Sequence, residues 1–225
     1  MDTATEKLSP FSIRHRWEFR PGAPPEEVEN APIRDNEAAA LEAIGRVGLI
    51  GSVQIGRLFG FGRHQIRRMI AEGKLTGHTL LKNRTEIPVF SLGPRGAKLL
   101  ELPESDARRW TVERILQTLV FFQFCCAMKD KQKTFQIRSS PQPFAGRLEV
   151  AGEVRDVLVL RGGLPLEVLR EVMYRQANPV ITIAESFEDV RPYDEILGMA
   201  DARLLLDEDL RGDYRFYRYR GGWVR

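Results

Sequence analysis

The stretch "GRLFGFGRHQIRRMIAEGKL", residues 56–75, gathers side chains that can meet a polyanion: Arg63, His64, Gln65, Arg67 and Arg68 fall at the spacing of one short helix. Arginine and glutamine make paired hydrogen bonds to guanine and adenine edges, and arginine also neutralises phosphates. On a helix, Ile66, Met69 and Ile70 share one side, fit for a core. His64 and Arg68 then project roughly opposite, Gln65 and Arg67 lie on the flanks, and Arg63 stands at the N-terminal tip. A second group, Lys82-Asn83-Arg84-Thr85, makes a polar tip between two strand-like runs, and Arg57 and Lys98 are further candidates for phosphate contact. The chemistry expected of these residues is binding of double-stranded DNA.

Gly60-Phe61-Gly62 admits a rival, because glycine turns feeding a helix also hold nucleotide phosphates. A dinucleotide fingerprint needs G-x-G-x-x-G after a buried strand. Here Gln65 occupies the third glycine's place, and helix-like "VQIGRLF" precedes the turn. A P-loop would need Gly-Lys-Ser/Thr, which the sequence lacks.

Catalysis finds little support. Metal-dependent DNA hydrolysis needs carboxylates at two strand ends and a nearby lysine. Asp156 and Glu185 are conceivable ligands by position, but the last lysine is Lys133, and Glu185 is followed by Ser186-Phe187. Arginine stays protonated and substitutes poorly for a group that exchanges a proton. His15, His64 and His78, with Cys125-Cys126, lack zinc-ligand spacing, and G-x-S-x-G is absent. No enzymatic activity, metal or cofactor is expected. The adjacent cysteines read as buried small hydrophobes of a reducing compartment.

Charge is localised. Residues 46–98 hold ten basic against two acidic side chains, a balance of +8, whereas from residue 103 onward 19 basic and 19 acidic side chains cancel. Such a block is the footprint of a nucleic-acid module. "MDTATEKLSP" has neither a basic n-region nor an apolar h-region, and the apolar run "ILQTLVFFQFCCAM" is too short and too interrupted to span a bilayer. The expectation is a cytoplasmic protein without membrane partners.

The elements that must position these residues follow from periodicity. "FSIRHRWEF" alternates apolar and polar residues and predicts a short strand pairing with a later sheet edge, or else a basic arm along DNA. "RPGAPPEEVENAP" reads as a linker. Asn36 is a candidate cap for a helix through "EAAALEAIGRVGL", and Ser52 for a second, "VQIGRLF". "RHQIRRMIAE" makes the third, ended by a left-handed Gly73. "KLTGHTLLK" and "EIPVFSL" pair as a two-stranded wing, where Pro88 is tolerable at an edge. "GPRGAKLLEL" restarts a helix at Pro94. "DARRWTVERILQTLVFFQFCCAM" is a long helix, apolar nearly all round, to be covered by the next domain or by a second copy. Beyond it, strands and helices alternate, which implies a largely parallel sheet. The terminal "YRFYRYRGGWVR" interleaves aromatics with arginines; this suits stacking on single strands, although a plain terminal strand with alternating faces is preferred.

"SVQIGRLF", "QIRRMIAEGKL" and "VFSLGPRGAKLL", within residues 52–100, resemble the replication-relaxation family of winged-helix proteins of bacterial plasmids and mobile elements, with Phe90, Leu92 and Gly96 matching its aromatic-x-Leu-x-x-x-Gly segment. The resemblance implies DNA binding linked to replication, transfer or transcription of a mobile element, and supplies no catalytic residues. Some relatives carry a C-terminal α/β domain resembling restriction-type nucleases.

The expected fold class is α+β: an N-terminal winged helix-turn-helix followed by a C-terminal α/β domain with a mostly parallel sheet, a degenerate restriction-nuclease-like fold being one form of it. The expected organisation is an arm and linker at 1–35, the winged module at 36–103, a connecting helix at 104–133, and a non-catalytic α/β domain at 134–225. The expected partners are duplex DNA, a second copy paired through helix 110–128, and a protein docked on the C-terminal domain. Two rival readings are a metal-dependent nuclease or relaxosome enzyme, and a protein-interaction module whose winged helix no longer binds DNA.

Overall fold

Leu41, Ile44 and Val47 recur every three residues and bury one face of the first helix, α1 (Ala38–Val47). The computed structural model describes residues 8–25, 31–103, 106–212 and 214–225. Most of the acidic half of the expected linker, residues 26–30, lies outside them. α1 starts from Glu37 with no side-chain cap, so Asn36 is not its cap. A short strand, β2 (Ile50–Gly51), leads into α2 (Ser52–Phe59). Ser52 is the first helical residue there; the side chain of Gln54 accepts the Gly51 N–H at 2.9 Å instead.

Gly60 (φ 74°) closes α2 in the left-handed conformation, its N–H bonded to Gly56 O at 2.9 Å. Gly62 is different: its φ is −82° and a Cβ there would have open space, so only one of the two glycines is demanded by the backbone. α3 (Arg63–Ala71) follows, and Gly73 (φ 70°) ends it as expected.

β3 (Leu75–Lys82) and β4 (Thr85–Leu92) form a hairpin closed by Asn83 (φ 47°) and Arg84 (φ 76°). Two successive positive φ values are the turn whose twist suits a hairpin. α4 (Pro94–Leu99) begins with its proline in the first turn. The sheet is antiparallel throughout, ordered β1-β3-β4-β2, with β1 (Trp17–Arg20) on one edge. β2 pairs only with Val89 and Phe90, so Pro88 sits where β4 has become an edge. The expected strand over 11–19 begins only at Trp17; before it the chain turns, with Ser12 N–H on Ser9 O and His15 N–H on Ser12 O.

α5 (Val112–Asp130) is the hub. It packs on α2, β1 and β2 on one side and, on the other, on the second sheet and a 3-10 turn at Asp207–Arg211. A continuous core runs from Leu41 and Ile44 of α1, through Phe121 and Phe124 of α5, to Ile181 and Leu205 of the second sheet. Described residues of the expected winged module, connecting helix and α/β domain all contribute to this core. Leu119 has no solvent exposure. The apolar faces of this helix, expected to pair two copies, are covered by its own chain.

The second sheet comprises β5 (Gln136–Arg138), β6 (Gly146–Val150), β7 (Glu153–Val159), β8 (Val180–Ala184), β9 (Arg203–Leu206), β10 (Tyr217–Tyr219) and β11 (Trp223–Val224). Its order is β11-β10-β9-β8-β7-β6-β5. Only β7–β8 and β8–β9 are parallel; the other pairings are antiparallel, so the sheet is mixed and not mostly parallel. The physical reason is loop length: crossover helices stand only between the parallel strands. These are α6 (Leu166–Arg175) before β8, and α7 (Phe187–Val190) with α8 (Asp194–Met199) before β9. Ala151-Gly152 and Gly221-Gly222 close tight hairpins at the flanks. One sheet face meets α5; Leu169 and Met173 of α6 and Ile196 and Leu197 of α8 cover the other. No helix among the described residues is long and apolar enough to cross a membrane.

Candidate nucleic-acid interface

On α3, Ile66 and Met69 are buried while Arg63, His64 and Arg67 are exposed. At about 100° per residue those three span an arc of about 100° on the side away from the core. Arg63, Arg67 and the hairpin-tip Arg84 have no ion pair among the described residues. Asn83 is exposed beside Arg84, and its N–H reaches Arg16 O at 3.2 Å. Gln65, expected on a flank, is half-buried, and its side-chain nitrogen is enclosed with no hydrogen-bond partner among the described residues.

Other expected contacts are committed elsewhere. Arg68 donates to Glu37 at 2.8 Å and lies 3.6 Å from Glu72, so it bridges α3 to the start of α1 and does not project with His64. Lys82 folds back, donating to Pro10 O at 2.9 Å with its ammonium 5.7 Å from the Trp17 ring centre. Burial and the nearby Arg211 push its pKa down. Arg57 is ion-paired with Asp130 at the end of α5. Lys98 is exposed on α4. The local balance of +8 thus overstates the free charge, because Glu37 and Asp130 reach in from outside the window that was summed.

Behind α3 lies a charge cluster that sequence reasoning missed. Lys74 has a side chain without solvent exposure; its ammonium sits 2.7 Å from Glu37, 2.7 Å from Glu72 and 2.6 Å from Pro32 O. Burial alone would push the Glu37 carboxyl up, but hydrogen bonds from Lys74 and Arg68 outweigh it and hold the group below its ordinary value. Helical periodicity carries no signal for this cluster, because Glu37 and Lys74 are 37 residues apart.

The two carboxylates considered for a metal do not meet. Asp156 pairs with Val180 at the start of β8, whereas Glu185 follows Ala184 at its far end. That separation is roughly 17 Å at the rise of a strand. Asp156 is fully buried and accepts from Arg147 (2.8 and 3.1 Å), Ser140, Gln176 (2.6 Å) and Asn178 (2.9 Å). Burial raises its pKa, and these donors together lower it below the ordinary value. Glu185 accepts from Ile13 N–H at 2.9 Å and faces Arg161 at 3.6 Å. Both are structural, so the nuclease reading built on this pair fails on geometry. No metal-holding group of three or more His, Cys, Asp or Glu occurs among the described residues. Cys125 and Cys126 are buried, which pushes the Cys126 thiol up to about 11 and Cys125 well above its ordinary value.

The N-terminal arm is also engaged. Buried Arg161 donates to Phe11 O at 3.0 Å and to Asp207, which also accepts from Ser9, while Ile13 holds Glu185. The arm therefore lies on the carboxyl ends of β7, β8 and β9, which displaces the alternative of an arm along DNA. A sequence signal existed: Arg161, Glu185 and Asp207 each stand directly after an apolar strand run, "VLVL", "VITIA" and "RLLL". No family model, curated protein or solved structure matches this chain.

Proposed function

We propose that the protein binds double-stranded DNA through a winged helix-turn-helix built from α1, β2, α2, α3 and the β3–β4 hairpin. α3 is the helix laid in the major groove, and the hairpin is the wing. Arg63, His64 and Arg67 face the duplex, and Asn83 and Arg84 touch an adjacent backbone or minor groove. Arg68, with Glu37, Glu72 and Lys74, fixes the angle of α3 and does not touch DNA. The observation that carries this reading is the exposed set Arg63, Arg67 and Arg84, unpaired among the described residues, on two consecutive elements of one module. Cations held without partners at a surface are the footprint expected for phosphate and base-edge contact.

Resemblance of residues 52–100 to the replication-relaxation family supports a regulatory role in replication, transfer or transcription of a mobile element. Because α5 is occupied within the chain, the dimer expected from the sequence has no surface assigned to it, and the reading here is of one module on one duplex segment. The test is fluorescence anisotropy of the protein on a random duplex and on DNA from its own upstream region at two salt concentrations. Binding that persists on the upstream duplex at the higher salt indicates base readout. Absence of binding at both salts overturns the proposal.

A further inference from the structure

Arg203 of β9 and Arg218 of β10 stand directly opposite each other in an antiparallel pair. Like charges in that register are unfavourable, and a fold that keeps them has a use for the concentrated charge. Both line a cavity of about 550 Å³ between the C-terminal end of α5 and the sheet, which Arg155 and Lys133 also border. Among the described residues Glu153 is the one acid lining it, held by Arg155 at 2.6 Å, and the highly exposed Asp201 lies 3.7 Å from Arg203. Arg218 and Lys133 are exposed and have no ion pair among the described residues. The apolar wall includes Phe124, Tyr214 and Phe216. Tyr214 meets Phe124 and Phe216 edge to face at 5.9 and 5.8 Å between ring centres.

We propose that this cavity binds a nucleotide, with phosphate oxygens held by Arg155, Arg203, Arg218 and Lys133 and the base laid against Tyr214 and Phe216. Cations that track phosphate beside aromatic faces are the chemistry by which bases are held without sequence preference. The volume lies in the range of small-molecule sites. The alternation of "YRFYRYR" serves this arrangement: Phe216 and Arg218 face the cavity, while Tyr217 is buried on the opposite sheet face and Tyr219 packs on Trp223. This surface is separate from α3, and the inference stands whether or not α3 binds duplex.

The test uses the full chain with ATP, measured by calorimetry, and a fluorescein-labelled ten-nucleotide oligo(dT), measured by anisotropy. Arg218→Gln should weaken binding by about tenfold or more, the worth of one charge-assisted contact. It should also leave the melting temperature unchanged or raised, because the cross-strand repulsion is relieved. Arg63→Ala combined with Arg67→Ala should leave this binding intact, which separates the site from the duplex surface. A parent that binds both ATP and oligo(dT), each weakened in Arg218→Gln, would identify a free nucleotide as sufficient; a parent that binds oligo(dT) alone, weakened in Arg218→Gln, would identify one unit of a single strand. The proposal is overturned if the parent binds neither, if Arg218→Gln binds as the parent does, or if it melts at a lower temperature.

Discussion

Replacing Glu37 by glutamine asks whether α3 is held by buried charge. The side chains of Glu37 and Lys74 are both without solvent exposure. Removing the carboxylate charge leaves the Lys74 ammonium with Glu72 as its acid, at 2.7 Å and 19% exposed. Glutamine keeps the shape and one acceptor, for the Arg34 N–H and the Lys74 ammonium, but turns an amide NH2 towards the Arg68 guanidinium, so the charge and one acceptor are lost. Breaking one partner of a buried pair costs about 3–5 kcal/mol. The remaining Glu72 contact places the expected loss at the lower end, about 3 kcal/mol. Urea unfolding at pH 7 with linear extrapolation measures it. Adding Lys74→Met removes the stranded cation and should recover about half of that loss. A single variant within about 0.5 kcal/mol of the parent, or a double variant less stable than the single, would refute the reasoning.

His78 is buried, accepts the Gly22 N–H at 3.0 Å and bonds Ser91 Oγ at 2.8 Å; burial lowers its pKa from 6.5 to about 4. A depressed folded value means its stability share is full above pH 6.5 and lost as pH falls towards 4, about 3 kcal/mol in all. Urea midpoints from pH 7.5 to 4.5 should fall more steeply for the parent than for His78→Gln; equal slopes would contradict this. Leu119→Glu, at a site without exposure, should abolish cooperative unfolding by circular dichroism, since an unpaired charge in the core costs more than about 4 kcal/mol. A folded Leu119→Glu monomer would mean that α5 is a pairing face after all. Cys125 and Cys126 should react with Ellman's reagent only after unfolding, because burial raises both thiols. Rapid reaction of either in the native protein would show that α5 is exposed.

The helices α2 to α4 and the β3–β4 hairpin were legible because each carries a local signal, whereas β2 and the late start of β1 at Trp17 were not. Gly60 and Gly73 need positive φ, Pro94 prefers a first turn, and the 3.6-residue spacing of Ile66 and Met69 places α3 correctly. The mixed character of the second sheet was missed although Ala151-Gly152 and Gly221-Gly222 announce hairpins; strand–helix alternation over residues 153–206 was extended to strands that have no crossover. Among candidate contacts, helical geometry turned His64 outward, where it lies; Arg63, expected at the tip, and Arg67, expected on a flank, are exposed with it. Local pattern gave no sign that Arg68, Lys82 and Arg57 are held by Glu37, Pro10 and Asp130, which lie 31, 72 and 73 residues away. Periodicity says which side of a helix a residue is on, but which distant group its charge will meet is decided by tertiary packing.

The central claim is that Arg67 meets duplex and Arg68 does not. Arg67→Ala and Arg68→Ala, titrated against one duplex across a salt series, test it most directly. Arg67→Ala should weaken binding, reduce the dependence of log affinity on log salt by about one, and leave the urea midpoint unchanged. Arg68→Ala should lower the urea midpoint while keeping the parent's salt slope. The reverse pattern, or parental affinity and slope in Arg67→Ala, would contradict the account.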